Sequence, residues 1–125
     1  MKISVFGLGY VGSVTAACLA EAGHEVWGVD VSADKVAMVS AGKSPVIEHR
    51  VDEMMAKANQ RGLLRATTDP VAAVNATELT LVCVGTPTQA NGATDLSAML
   101  AVCAQIGAAL TGKTSRHCVV FRSTV

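Results

Sequence analysis

Aromatic side chains make up only 3% of these 125 residues, although half of the residues are apolar. The core must therefore be built from Val, Ala, Leu and Ile, which suits a parallel sheet covered by helices. Charge of one sign is not in excess either: ten Lys and Arg face ten Asp and Glu. That balance gives no general affinity for nucleic acid or an anionic membrane. No apolar run approaches the roughly 20 residues of a membrane span. Cys18, Cys83, Cys103 and Cys118 are too scattered for a C-x-x-C motif, which excludes the usual zinc and redox pairs. Each falls in an apolar pattern, and all four are expected as small buried hydrophobes. His24, His49 and His117 are equally dispersed, so no metal site is expected. The chain enters a strand at once, leaving no room for a signal peptide, and a cytoplasmic protein is expected. At this length it forms one domain able to bury roughly two-thirds of its unfolded surface.

What is present is concentrated between residues 2 and 30. Ile3, Val5 and Phe6, with Ser4 among them, read as a strand buried on both faces. Gly7-Leu8-Gly9-Tyr10-Val11-Gly12 follows. Glycine is needed there for three separate reasons. Gly7 allows the sharp turn out of the strand, Gly9 lets a pyrophosphate approach the backbone, and Gly12 lets the helix sit close to the strand. Val11, Val14, Cys18 and Leu19 recur at helical spacing up to a capping Gly23. A second strand over residues 25–29 ends at Asp30. Free N–H groups and the helix dipole then face an anion near Tyr10 and Val11. Asp30 can accept both ribose hydroxyls of an adenosine. A 2′-phosphate would meet like charge there, and Val31 offers no arginine to relieve it, so NAD is favoured over NADP.

Ser32 reads as the N-cap of a helix running to about Ser40, with Lys35 in its first turn. A cation there opposes the helix dipole. Lys35 can reach the adenosine ribose or a neighbouring phosphate; alternatively it is a solvated surface lysine beside Asp34. Residues 42–48, Gly-Lys-Ser-Pro-Val-Ile-Glu, form a loop. Val51, Met54, Met55 and Ala58 mark one face of the next helix, ending near Gly62. A short strand spans 63–67. Asp69 and Pro70 cap and open a short helix, and residues 79–84 form an apolar central strand. Residues 85–88, Gly-Thr-Pro-Thr, begin a polar loop to Asp95. Leu96, Leu100, Cys103, Ile106 and Leu110 then mark another helix, and residues 118–121 a last strand.

Strand and helix thus alternate, with one extra helix in the second connection. Right-handed crossovers give an α/β, Rossmann-type, doubly wound parallel sheet of about five strands in the order 3-2-1-4-5, with helices on both faces. Ligands bind beyond the carboxyl ends of the strands, where strands 1 and 4 part. Three loops converge there: residues 7–12, 85–88 and 122–125. Thr86 and Thr124 can each offer a hydroxyl to a ribose or phosphate; otherwise Thr86 is a turn residue before proline and Thr124 a residue near the chain end.

Several stretches together resemble one family, the UDP-glucose/GDP-mannose dehydrogenases. They are Phe6-Gly7-Leu8-Gly9-Tyr10-Val11-Gly12, Gly28-Val29-Asp30, Gly42-Lys43-Ser44-Pro45 with Glu48, Val82-Cys83-Val84-Gly85-Thr86-Pro87 and Arg122-Ser123-Thr124-Val125. The resemblance covers residues 1–125 but only the family's amino-terminal, NAD-binding domain. It implies an NAD-dependent, four-electron oxidation of a nucleotide sugar's C6 alcohol to a carboxylate. It implies that Tyr10 and Val11 contact the pyrophosphate, that Asp30 and Lys35 hold the adenosine end, and that Thr86 and Thr124 line the groove. Residues 42–48 look closer to the GDP-mannose branch, the product then being GDP-mannuronate, than to the UDP-glucose branch. The family's Glu-Pro-Gly is replaced here by Glu48-His49-Arg50. The family's cysteine nucleophile, its central helix and its sugar-nucleotide pocket are expected beyond Val125. None of the four cysteines takes the nucleophile's role, and residues 1–125 alone are expected to be inactive. The full-length enzyme is expected to pair into homodimers or larger assemblies. Two other readings remain open at this level: a nucleotide-sensing module without chemistry, and a 3-hydroxyacid or 6-phosphogluconate-type dehydrogenase.

Overall fold

The run Ile3–Phe6 becomes the centre of the sheet. β1 (Lys2–Phe6) lies between β2 (Glu25–Val29) and β4 (Leu79–Val82), parallel to both. β3 (Leu64–Thr67) pairs with β2, and β5 (Cys118–Phe121) with β4. The order β3-β2-β1-β4-β5 is the expected one. This computed structural model describes residues 1–122, so Ser123, Thr124 and Val125 lie outside the described residues.

Among the described residues five helices connect the strands: α1 (Tyr10–Glu21), α2 (Ala33–Ser40), α3 (His49–Gln60), α4 (Pro70–Ala76) and α5 (Ser97–Thr111). Alternate residues of β1 point to opposite faces. Ile3 and Val5 join Ala16, Ala17, Val39, Val51 and Met55 in one core. Phe6 joins Val29, Val74, Val82, Val102 and Ile106 in the other. Each fully buried Val, Leu, Phe or Met contributes about 1.5–3 kcal/mol relative to exposure.

Several local expectations change. The buried face of α1 is Gly12, Ser13, Thr15, Ala16, Ala17 and Ala20 rather than the Val11, Val14, Cys18 and Leu19 stripe. Small residues let this helix lie close against the strands, and Val11 and Cys18 face outward. Of the cysteines only Cys83 is buried; Cys103 is half-buried and Cys118 exposed on the edge strand. In α5 the buried residues are Val102, Ile106 and Ala109, while Leu96 and Leu100 are exposed. β4 stops at Val82 instead of Val84. α3 starts at His49, because Glu48 acts as its N-cap and accepts the Arg50 amide at 3.3 Å. Asp69 caps α4 as expected, accepting the amides of Val71 and Ala72. Met55 is fully buried, and Met54 packs beside the same core.

Candidate functional site

Gly7 turns the chain out of β1 with φ +98°, a conformation side chains rarely adopt. A Cβ there would lie 2.9 Å from the Cys83 carbonyl oxygen. At Gly12 the constraint is contact: a Cβ would sit 1.6 Å from the Gly7 carbonyl oxygen. Gly9 differs from both. Its φ is −75°, and a Cβ would meet nothing within 4 Å. The space beside it is open to a ligand.

Gly9 is also the N-cap of α1, without a side-chain cap bond, and the first turn carries no acidic residue. The first intrahelical bond runs from the Ser13 amide to the Gly9 carbonyl, 2.9 Å. The N–H groups ahead of it have no carbonyl within the helix to meet. Tyr10 and Val11, 60% and 46% exposed, flank this end.

Asp30 stands half-buried at the end of β2. Its Oδ2 accepts the Leu8 amide at 2.7 Å and its Oδ1 the Ser32 amide at 2.9 Å. Each oxygen keeps lone-pair capacity for a further donor. Ser13, completely buried, donates its hydroxyl to the Leu8 carbonyl at 3.0 Å and fixes the turn from below.

These groups border a cleft of about 420 Å³. Gly7, Gly9, Asp30, Val31, Lys35, Cys83 and Gly85 line it, so the structure brings together both glycines, the acid and the lysine. Ser32 caps α2 by accepting the Lys35 amide, and Lys35 itself lines the cleft. Gly12 lies behind the turn. Thr86 is half-buried one residue past the wall at Gly85 and does not itself line the cleft. Thr124 lies outside the described residues. Sequence reasoning missed the opposite wall, Ala98, Ala101, Val102 and Gln105 of α5, together with Thr68. Its one signal was a helix without charge, which also fits plain packing.

Burial pushes the Cys83 thiol up from its ordinary range, against the opposing influence of the Arg122 guanidinium and the Thr15 hydroxyl. Arg122 donates to Thr15 Oγ1 at 3.0 Å and so ties the end of β5 to α1. At the start of α5, Ser97 holds the half-buried Asp95 carboxyl below its usual range through its hydroxyl and its amide. Lys43, Ser44, Val46, Ile47 and Glu48 border a separate cavity of about 510 Å³ with Met38 and Asp52. Among the described residues no three His, Cys, Asp or Glu side chains group to hold a metal, and no helix is long and apolar enough to cross a membrane.

The family model described as UDP-glucose/GDP-mannose dehydrogenase family, NAD binding domain, matches residues 1–125. The chain belongs to this family. As the family's NAD binding domain it is 54% identical over 125 residues to the GDP-mannose 6-dehydrogenase of Azotobacter vinelandii, covering 100% of this chain and 29% of that protein. It is 40% identical over 126 residues to the UDP-glucose 6-dehydrogenase of Haloferax volcanii, again covering 100% and 29%. A ternary complex of GDP-mannose dehydrogenase from Pseudomonas aeruginosa superposes with a TM-score of 0.98 at 48% identity, over 100% of this chain and 29% of that one. The chain therefore spans less than a third of the length of the relatives it matches.

Proposed function

We propose that this domain holds NAD for the oxidation of a nucleotide sugar's C6 alcohol to a carboxylate, with GDP-mannose as the sugar nucleotide and GDP-mannuronate as product. The observation that carries the cofactor reading is Asp30: both its oxygens are pinned by amides, and it faces a cleft left open at Gly9. Bound NAD supplies a hydride acceptor, and two are reduced for each alcohol taken to a carboxylate. The chain's own residues bind and orient. The amides near Tyr10 and Val11 receive the pyrophosphate at the helix end. The oxygens of Asp30 receive the ribose hydroxyls, and its charge disfavours a 2′-phosphate. The Lys35 cation sits within the same cleft and offsets phosphate charge. Gly7 and Gly12 shape the turn, and Thr86 extends the groove one residue beyond Gly85; the role proposed for Thr124 falls outside the described residues.

The GDP-mannose assignment is supported by the higher identity to the Azotobacter enzyme than to the Haloferax one. We assign the catalytic groups and the sugar-nucleotide pocket to protein outside residues 1–125, since the chain covers 29% of these relatives. We also assign the whole protein to a cytoplasmic homodimer or larger assembly. The test has two arms. NAD is titrated against the chain and its Asp30→Ala variant; equal affinity would remove the ribose assignment. The full-length protein is then assayed for NADH with GDP-mannose and with UDP-glucose, and faster turnover of UDP-glucose would overturn the substrate.

A further inference from the structure

A chain of polar groups runs through the sheet at the end away from the cleft. Lys113, just past α5, places its ammonium against the Val74 carbonyl at 2.8 Å, the Thr77 carbonyl, and His117 Nδ1 at 2.8 Å. His117 Nε2 lies 2.7 Å from Thr80 Oγ1, and Thr80 Oγ1 lies 2.7 Å from Ser4 Oγ. Ser4 Oγ is 3.2 Å from Thr77 Oγ1, which donates to the Ala73 carbonyl at 2.8 Å. Ser4 and Thr80 are completely buried and Thr77 is 4% exposed.

The proton positions follow from counting donors. An ammonium has three donors and no acceptor, so His117 Nδ1 must accept. The ring is then neutral, and its Nε2–H donates to Thr80. The Thr77 hydroxyl donates to the Ala73 carbonyl and, at longer range, toward Ser4, and Thr80, which accepts from the ring, donates to Ser4. This arrangement holds only while the ring is neutral. A second proton on Nδ1 would face the ammonium and compete with it for the Thr77 carbonyl.

The network is anchored next to a strand held otherwise by its ladder to β4, by Val119 against the core and by Arg122 at its far end. β5 is an edge strand of four residues, three of them exposed. Apolar burial therefore does little to fix its register. His117 is the residue before it, and Arg122, bonded to Thr15 beside the cleft wall, is the residue after it.

We propose that Lys113, His117, Thr80 and Ser4 form a protonation-sensitive clamp that holds β5 in register with β4, and that a proton on His117 releases β5 and with it Arg122. Burial first and the Lys113 ammonium second hold His117 below its usual range, against the Thr77 carbonyl. An unfolded ring takes a proton more readily than the clamped one. The clamp is thus fully effective above about pH 6.5 and weakens as pH falls below it. The other charges nearby are Arg116 in the same turn, Lys2 at the start of β1, and Glu78 before β4, whose carboxylate accepts the Lys2 amide at 3.3 Å. α4 carries no charge.

Hydrogen exchange of the full-length protein tests this at pH 7.5 and 5.5, corrected for intrinsic rates. Protection at residues 118–122 should fall, by up to about tenfold, at the lower pH, with residues 25–29 unchanged. His117→Gln, neutral at both pH values, should lose that response. In Lys113→Gln the ammonium no longer opposes the ring, and the response should move to higher pH. Equal wild-type protection at the two pH values overturns the clamp whether or not the variants fold. So does a His117→Gln response like the wild type's, or an unmoved midpoint in Lys113→Gln.

Discussion

Adding one methyl group at Gly12 and one at Gly9 should separate what the glycine turn does for the fold from what it does for the ligand. At Gly12 the new Cβ would lie 1.6 Å from the Gly7 carbonyl oxygen and 2.7 Å from its carbon. Ordinary contact begins near 3.4 Å. Helix α1 and the turn must therefore part by about 2 Å, and both colliding groups are backbone, so no rotamer change relieves the clash. Overpacking a core costs about 1–3 kcal/mol where side chains can adjust; here the loss should reach about 3 kcal/mol or more. Against a total stability of about 6–19 kcal/mol for a domain of this length, that lowers Tm by about 10 °C or more. Gly9→Ala should behave oppositely. Its φ of −75° suits alanine and its surroundings are open, so stability should fall by no more than about 1 kcal/mol at this N-cap. Its methyl group enters the cleft, and NAD affinity should drop at least about tenfold, or 1.4 kcal/mol. Thermal unfolding by circular dichroism and calorimetric titration with NAD measure the two quantities on each variant. A Gly12→Ala protein as stable as the wild type would refute the close approach of α1 to the turn. A Gly9→Ala protein binding NAD normally would refute the placing of the pyrophosphate.

Asp30→Asn presents an amide nitrogen to one of the two N–H groups its carboxylate now accepts. NAD affinity should fall about tenfold and the preference for NAD over NADP should narrow; an unchanged ratio of dissociation constants would count against the ribose contact. Cys18 and Cys118 should react with a thiol reagent in the native state, while buried Cys83, its thiol pushed up by burial, should react only on unfolding; mass spectrometry of labelled peptides reads this directly. Met55→Ala, at a fully buried position, should cost about 2–5 kcal/mol in urea unfolding. Asp69→Ala removes two cap bonds and should cost about 1 kcal/mol in the same measurement.

The strand order was legible because it needs only the alternation of elements and the handedness of their crossovers. Glycine spacing, Asp30 and Lys35 were legible for a similar reason: a turn, an acid and a cation at set distances from a strand leave few places to stand. Helix faces were not. Hydropathy singled out Val11 and Cys18, yet α1 buries glycine, serine and alanine, residues whose apolar signal is weak and whose value lies in their size. Cys118 read as buried because it begins an apolar strand, but at the sheet edge there is little to bury it against. The run to Val84 looked like one strand. The ladder ends at Val82, and Cys83 and Val84 go instead to the wall of the cleft.

The residue between the first two glycines ties these parts together, although the spacing treats it as free. The Leu8 side chain is fully buried against β2, close enough that a Cβ on Gly28 would meet it at 3.0 Å. Its amide is bonded to Asp30 and its carbonyl to Ser13. The turn, the first helix and the acid are therefore held by one residue, with the Gly7 amide adding a bond to the Val29 carbonyl at 2.8 Å. A rigid-body shift of any one of them must break a bond to Leu8 or displace its side chain from the core. That is why a glycine turn and a carboxylate 22 residues apart in the chain act as a single pre-set surface, and why the acid's orientation is fixed before any ligand arrives.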